Sequence, residues 1–182
     1  DLVKGCAVSK KDGNGWSVPE HVDIPTLDIE GDFYGFHVSE DENVMLISYK
    51  GPGTLGDEDL YVTLKSDNVW SAPLHLGNII NTVGYEITPF LNNGHDTLYF
   101  TSNGHGGLGD GDIFYSIRQG ASWTDWSTPV NLGDKIKSPK FDAYFTRSTK
   151  QVFWSSNRES DKSDIYYANI LTPPVLTCDL SK

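Results

Sequence analysis

The chain is short of cysteine, of positive charge and of long apolar runs, and each shortage removes a class of protein. Only Cys6 and Cys178 occur in its 182 residues, near opposite ends. Two cysteines cannot make a disulfide framework, and their separation is not that of metal ligands. They pair only if the fold brings the ends together; an open arc of repeats leaves two unpaired thiols. Lys and Arg number 14 against 25 Asp and Glu, a formal charge of −11. Nucleic acid and anionic membrane surfaces demand the opposite sign. No apolar run reaches the roughly 18 residues of a membrane helix. No secretory signal is visible either, so an exported form has lost it or carries it outside these residues. Pairs of His at zinc spacing, a nucleophile elbow and a phosphate-cradling GxxxxGK[ST] are all missing.

What is abundant is turn punctuation, with 18 Gly and 9 Pro scattered between aromatic and β-branched stretches. The stretches repeat. "FHVSEDENVMLISYKGPGTLGDEDLY" from Phe36 aligns without a gap on "PFLNNGHDTLYFTSNGHGGLGDGDIF" from Pro89, and "YFTRSTKQVFWSSNRESDKSDIYYA" is a third copy with a shorter loop. A second motif, WSxP, starts at Trp16, Trp70 and Trp126, spaced by 54 and 56 residues. A period of this length points to propellers or solenoids. Each unit reads as four strands, A to D; in the middle copy they are "EITPFLN", "TLYFTSN", "DIFYSIR" and "WSTPVNL". Pro129 lacks an N–H, which suits an outer edge strand. The three WSxP tryptophans are expected to pack between units.

Tandem four-stranded antiparallel units are the blades of a β-propeller. The expected fold is all-β, with blades in one domain or fragment over 1–182. It divides into a partial blade at 1–32 (strands C and D), blades at 33–84 and 85–140, and a partial blade at 141–182 (strands A to C plus a tail). About three and a quarter blades are fewer than the usual four to eight. The chain is therefore read as an arc, or as part of a larger propeller completed by further blades from the same or another chain.

The motifs that carry this reading are "TSNGHGGLGDGDIF", "SSNRESDKSDIYY" and "SYKGPGTLGDEDLY". Together they resemble the TolB-like, WD-type propeller repeat family of exported bacterial proteins. The resemblance implies a periplasmic, outer-membrane-associated or extracellular location, and an interaction scaffold rather than an enzyme. Its partner would be a protein or a cell-envelope component, with no nucleic acid and no direct membrane insertion. Two alternatives stay open. One is a glycan-binding module or a fragment of a propeller glycosidase, which needs two carboxylates; Glu86 and Asp142 are the nearest candidates, yet they align with each other. The other is a structural subunit of a large envelope complex.

In an up-and-down blade the B–C loops and the D–A connections share one end. Fourteen of the 25 acids fall there, making an acidic face for a basic partner or a cation. Asp59, Asp112 and Asp164 recur at one repeat position, before Leu or Ile, and are expected to cap their turns by accepting backbone N–H groups. Asp57 and Asp110 are not copied in the third unit, where Lys162 stands, and are candidate partner-binding residues. His105, in the middle loop, and Trp123, in the insertion "GASWTD", are the other candidate contacts. Calcium is a possible cofactor only if Asp110 and Asp112, with loop carbonyls, gather enough oxygens.

Overall fold

The structure, a computed structural model, describes residues 4–170. Sixteen short strands form five antiparallel sheets, and no helix is present among the described residues. β1 (Ala7–Val8) pairs with β4 (Glu20–His21), and β2 (Lys11–Asp12) with β3 (Gly15–Trp16). The first large sheet holds β5 (Tyr34–Val38), β6 (Val44–Tyr49), β7 (Asp59–Ser66), β8 (Val69–Trp70) and β9 (Leu74–His75). The second holds β10 (Glu86–Leu91), β11 (Thr97–Ser102), β12 (Asp112–Ile117) and β13 (Val130–Asn131). The third holds β14 (Asp142–Arg147), β15 (Gln151–Ser156) and β16 (Asp164–Asn169). The tail "LTPPVLTCDLSK", with Cys178, lies outside the described residues.

Strands A to C form where the repeat places them. The D segment is shorter than expected, because WSxP interrupts its own pairing. In the first large sheet β7 pairs with β8 through Lys65 and Trp70, then again with β9 through Tyr61 and His75. Between the two ladders Pro73 has no N–H to give. The serine fills the gap: Ser71 Oγ accepts from Leu64 N–H at 3.1 Å, and Ser71 N–H donates to the Leu64 carbonyl at 2.9 Å. Ser127 does the same with Ile117, and Ser17 with Lys10. The register Ala7 to His21 is that of Tyr61 to His75, shifted by 54 residues. The N-terminal strands are therefore the same hairpin in a third copy.

Packing follows from the alternation of side chains across a pleat. One face of the first sheet (Leu46, Leu60, Val62) packs on Leu98, Phe100, Phe114 and Trp126. Its other face (Met45, Ile47, Tyr61) packs on Ile24 and Ile29 from the N-terminal segment. The second sheet turns Tyr99 and Ile113 towards Phe145 and Trp154 of the third. The sheets thus stack face to face in chain order. β6 and β11 are buried on both sides, which is why apolar residues stand at adjacent positions in them, Val44 to Ile47 and Leu98 to Phe100. Each fully buried Leu, Ile or Phe contributes about 1.5–3 kcal/mol.

The two ends of the stack break the pattern. Trp70 and Trp126 are 8% and 2% exposed, but Trp16, expected to pack like them, is 72% exposed. The reason is position: among the described residues no sheet is stacked on its face, as the first sheet is on Trp126. At the other end Ile165 is 81% exposed, while its counterparts Leu60 and Ile113 are 0% and 1% exposed.

Candidate binding face

The loops between second and third strands meet the connections that lead into the next sheet. Asp57 N–H donates to the Gly84 carbonyl at 2.9 Å, and Glu86 N–H to the Glu58 carbonyl at 2.7 Å. The next pair of sheets repeats the second bond, from Asp142 N–H to the Gly111 carbonyl at 2.9 Å. Glycine is required for this approach. A Cβ on Gly56 would fall 2.2 Å from the Gly84 carbonyl oxygen, and one on Gly109 would fall 1.9 Å from that of Lys140. The "LGD" shared by the first two loops is therefore a joint between sheets.

Asp59 and Asp112 cap these loops from inside. Asp59 Oδ2 accepts from Leu55 N–H at 2.7 Å; Asp112 Oδ2 accepts from Leu108 N–H at 2.8 Å and Gly109 N–H at 3.2 Å. Both carboxylates are buried, and the Oδ1 of each has no partner. His75 adds a further bond: its Nδ1 accepts from Gly77 N–H, so the ring hydrogen sits on Nε2, 2.8 Å from Asp59 Oδ2. Asp164 differs. It is exposed and makes no side-chain hydrogen bond among the described residues, so it does not cap its loop. The third loop is shorter and places Asp161 where Gly56 and Gly109 stand.

The candidate contact residues do not converge. Asp57 and Asp110 are exposed on neighbouring loops, with Asp57 held 3.0 Å from Lys50 Nζ. His105 turns inward. Its ring packs on Phe100 and Phe114, and Nε2 lies 2.7 Å from the Ile80 carbonyl. Trp123, expected as an exposed contact, is buried in the core, packed on Trp126 and capped by the Arg118 guanidinium 4.3 Å from its ring. The insertion folds back because an indole that large gains more from burial than from water. Among the described residues no group of three or more His, Cys, Asp or Glu could hold a metal ion, and Asp110 with Asp112 forms no such group.

Glu86 and Asp142 open β10 and β14 and are fully buried. Glu86 accepts from Thr82 N–H, Thr82 Oγ1 and Ser102 Oγ at 2.7–2.8 Å. Burial nonetheless holds its carboxyl above the usual glutamate range, with those hydrogen bonds acting against the shift. Asp142 accepts from Ser138 Oγ at 2.8 Å and from Arg158 Nη2 at 2.9 Å. Both carboxylates tie a sheet to the connection that enters it.

A feature with no sequence signal lies along the first strands of the three large sheets. β10 runs between β5 and β14, and together they line a cleft of about 390 Å³. Its walls are aromatic: Phe33, Tyr34, Phe36, Phe90, Tyr144 and Phe145. Phe33, Tyr34 and Tyr144 are 43%, 37% and 57% exposed. Thr88 and Tyr144, at equivalent positions, take φ of 50° and 55° at bulges in β10 and β14. A β-branched residue at positive φ is a strained outlier. Ser48 and His37 also line the cleft, and Ser48 Oγ and His37 Nε2 are buried without a partner. Burial pulls the His37 imidazole below its usual range, against a hydrogen bond to the Leu91 backbone.

No family model matches the chain, and neither a curated protein nor a solved structure matches it.

Proposed function

We propose that the chain is a non-catalytic interaction module of an exported bacterial protein, of the TolB-like propeller kind, with its stacked sheets as blades. The repeated joint between each second-to-third-strand loop and the next sheet supports the blade reading, since it recurs with the same donor and acceptor positions. The exposed faces at Trp16 and Ile165 support further blades at both ends, from this polypeptide or another. Docking falls to the acidic loop face, where Asp57, Asp110 and Asp161 are exposed on the three successive second-to-third-strand loops. Acids in that position steer a basic partner and set its association rate.

The observation that carries the non-catalytic part is the state of Glu86 and Asp142. A glycosidase needs one carboxyl to protonate a leaving group and a second to attack or activate water. Here both are fully buried and bonded within the fold. The first sheet carries Tyr34 at the matching start of its first strand. Titration with a lysine-rich peptide at low and high salt tests the docking face. The expected result is saturable binding that weakens with salt, is lost on combined Asp57→Asn, Asp110→Asn and Asp161→Asn, and survives Asp41→Asn with Asp67→Asn at the opposite loops. Equal loss in both variants overturns it, as does salt-insensitive binding. Turnover of a glycoside panel, abolished by Glu86→Gln, overturns the non-catalytic part.

A further inference from the structure

We infer that the aromatic cleft between β5, β10 and β14 is a binding site for a neutral saccharide. The inference stands on the geometry of the cleft and does not depend on the acidic docking face.

Charge comes first. None of the residues lining the cleft is Asp, Glu, Lys or Arg, in a chain with 25 acids and 14 bases. Its one titratable base, His37, is held towards the neutral form by burial. An ionic ligand would find no counter-charge here. Shape and surface come second. Three exposed aromatic residues, Tyr34 of β5, Phe33 just before it and Tyr144 of β14, line a volume within the range of small-molecule clefts. Sugars present flat C–H faces that lie on such rings, and hydroxyl edges that need donors and acceptors.

The polar groups are the third observation. Buried polar atoms are almost always paired, so unpaired ones require an explanation. The cleft wall holds two, Ser48 Oγ and His37 Nε2. Ser48 lies across the ladder from Gly35, and a Cβ on Gly35 would come 3.2 Å from Ser48 Oγ. The hydroxyl therefore stands beside a residue with no side chain, on the cleft. A sugar hydroxyl settling against Gly35 gives Ser48 and His37 the partners they lack. Strain at Thr88 and Tyr144 on the facing wall fits a site whose conformation is set for a ligand. An extended peptide is the poorer occupant. β10 and β14 are bulged at the cleft, and Pro89 has no N–H, so neither offers a regular edge for strand addition.

The test titrates the intact chain with maltose, cellobiose, N,N′-diacetylchitobiose and a proline-rich peptide, by saturation-transfer NMR and calorimetry. At least one sugar is expected to bind saturably and equally at low and high salt. Tyr144→Ala is expected to weaken it about tenfold and Ser48→Ala roughly fivefold. Trp16→Ala, far from the cleft, leaves it unchanged. Ser48→Ala is also expected to raise the melting temperature, because it deletes an unpaired buried hydroxyl; a merely structural serine lowers it. No saturable sugar binding overturns the proposal, as does binding indifferent to Tyr144→Ala or binding of the peptide alone. Salt-insensitive sugar binding without lysine-peptide binding keeps this site and removes the docking face; the reverse result does the opposite.

Discussion

The second and third large sheets have nearly the same sequence pattern and opposite fates. β12 and β16 both begin Asp-Ile, yet Ile113 is 1% exposed and Ile165 is 81% exposed. Asp112 caps its loop from the interior, while Asp164 lies in solvent. The same contrast holds at the other end, between Trp126 and Trp16. The strand pattern decides that a sheet forms. Whether a given face is buried depends on the neighbour stacked against it. One repeat position is therefore worth different amounts of stability in different copies.

The widest gap is expected at the tryptophans. Trp126→Ala removes a buried indole from the interface of the first two sheets and should cost about 3–5 kcal/mol. Trp16→Ala should stay within about 0.5 kcal/mol, as exposed positions do. Urea denaturation of both variants measures the gap. A loss above about 1 kcal/mol at Trp16 would mean that its face is covered in solution, by a second copy or another surface, and the comparison would collapse.

Next comes the joint between sheets. Gly109→Ala places a methyl against the Lys140 carbonyl, where a Cβ would fall at 1.9 Å. The backbone must shift, at a cost of about 1–3 kcal/mol. Asp161→Gly, which restores the glycine in the third loop, should leave stability nearly unchanged, since among the described residues no sheet is stacked there to receive the joint. Thermal unfolding separates the two variants.

The caps should follow in third place. Asp112→Ala removes a buried carboxylate that accepts two backbone N–H groups of its loop and is expected to cost about 0.5–2 kcal/mol, by analogy with helix caps. Asp164→Ala should cost nothing measurable. Added chelator should leave wild type and Asp112→Ala alike; a chelator effect confined to wild type would make Asp112 a calcium ligand instead.

Much of this architecture is legible in the sequence, because each unit repeats a signal governed by local chemistry. Serine in WSxP and aspartate before Leu60 and Ile113 meet backbone demands within their own hairpins, while the loop glycines meet the connection that enters the next sheet. The strands themselves follow from β-branched and aromatic alternation. The parts that were missed depend on distant partners. His105 and Trp123 sit in polar, glycine-containing stretches that look exposed, and only the stacked sheets show that Phe114 and Trp126 wait for their rings. The aromatic cleft gathers Tyr34, Phe90 and Tyr144 from three units. The bulges that turn Thr88 and Tyr144 to positive φ leave no residue signature, since neither position holds the glycine or asparagine that would mark one.

The smallest expected effect concerns the buried carboxylate that the second sheet has and the first replaces with Tyr34. Burial raises the Glu86 pKa in the folded chain above its unfolded value. The folded state then holds its proton more tightly, so the associated stabilisation is complete below the unfolded pKa and is lost as pH rises through the folded one. Wild type should lose a little stability over the pH range just above the ordinary glutamate value. Glu86→Gln keeps an acceptor for Thr82 and Ser102 but has no proton to lose, so its stability should be flatter across that range. Melting curves at closely spaced pH for both proteins give the slope difference. A slope unchanged by the substitution would mean that the three donors, and not burial, set the charge of Glu86, leaving the carboxylate as a fully ionised tie between the second sheet and the connection that enters it.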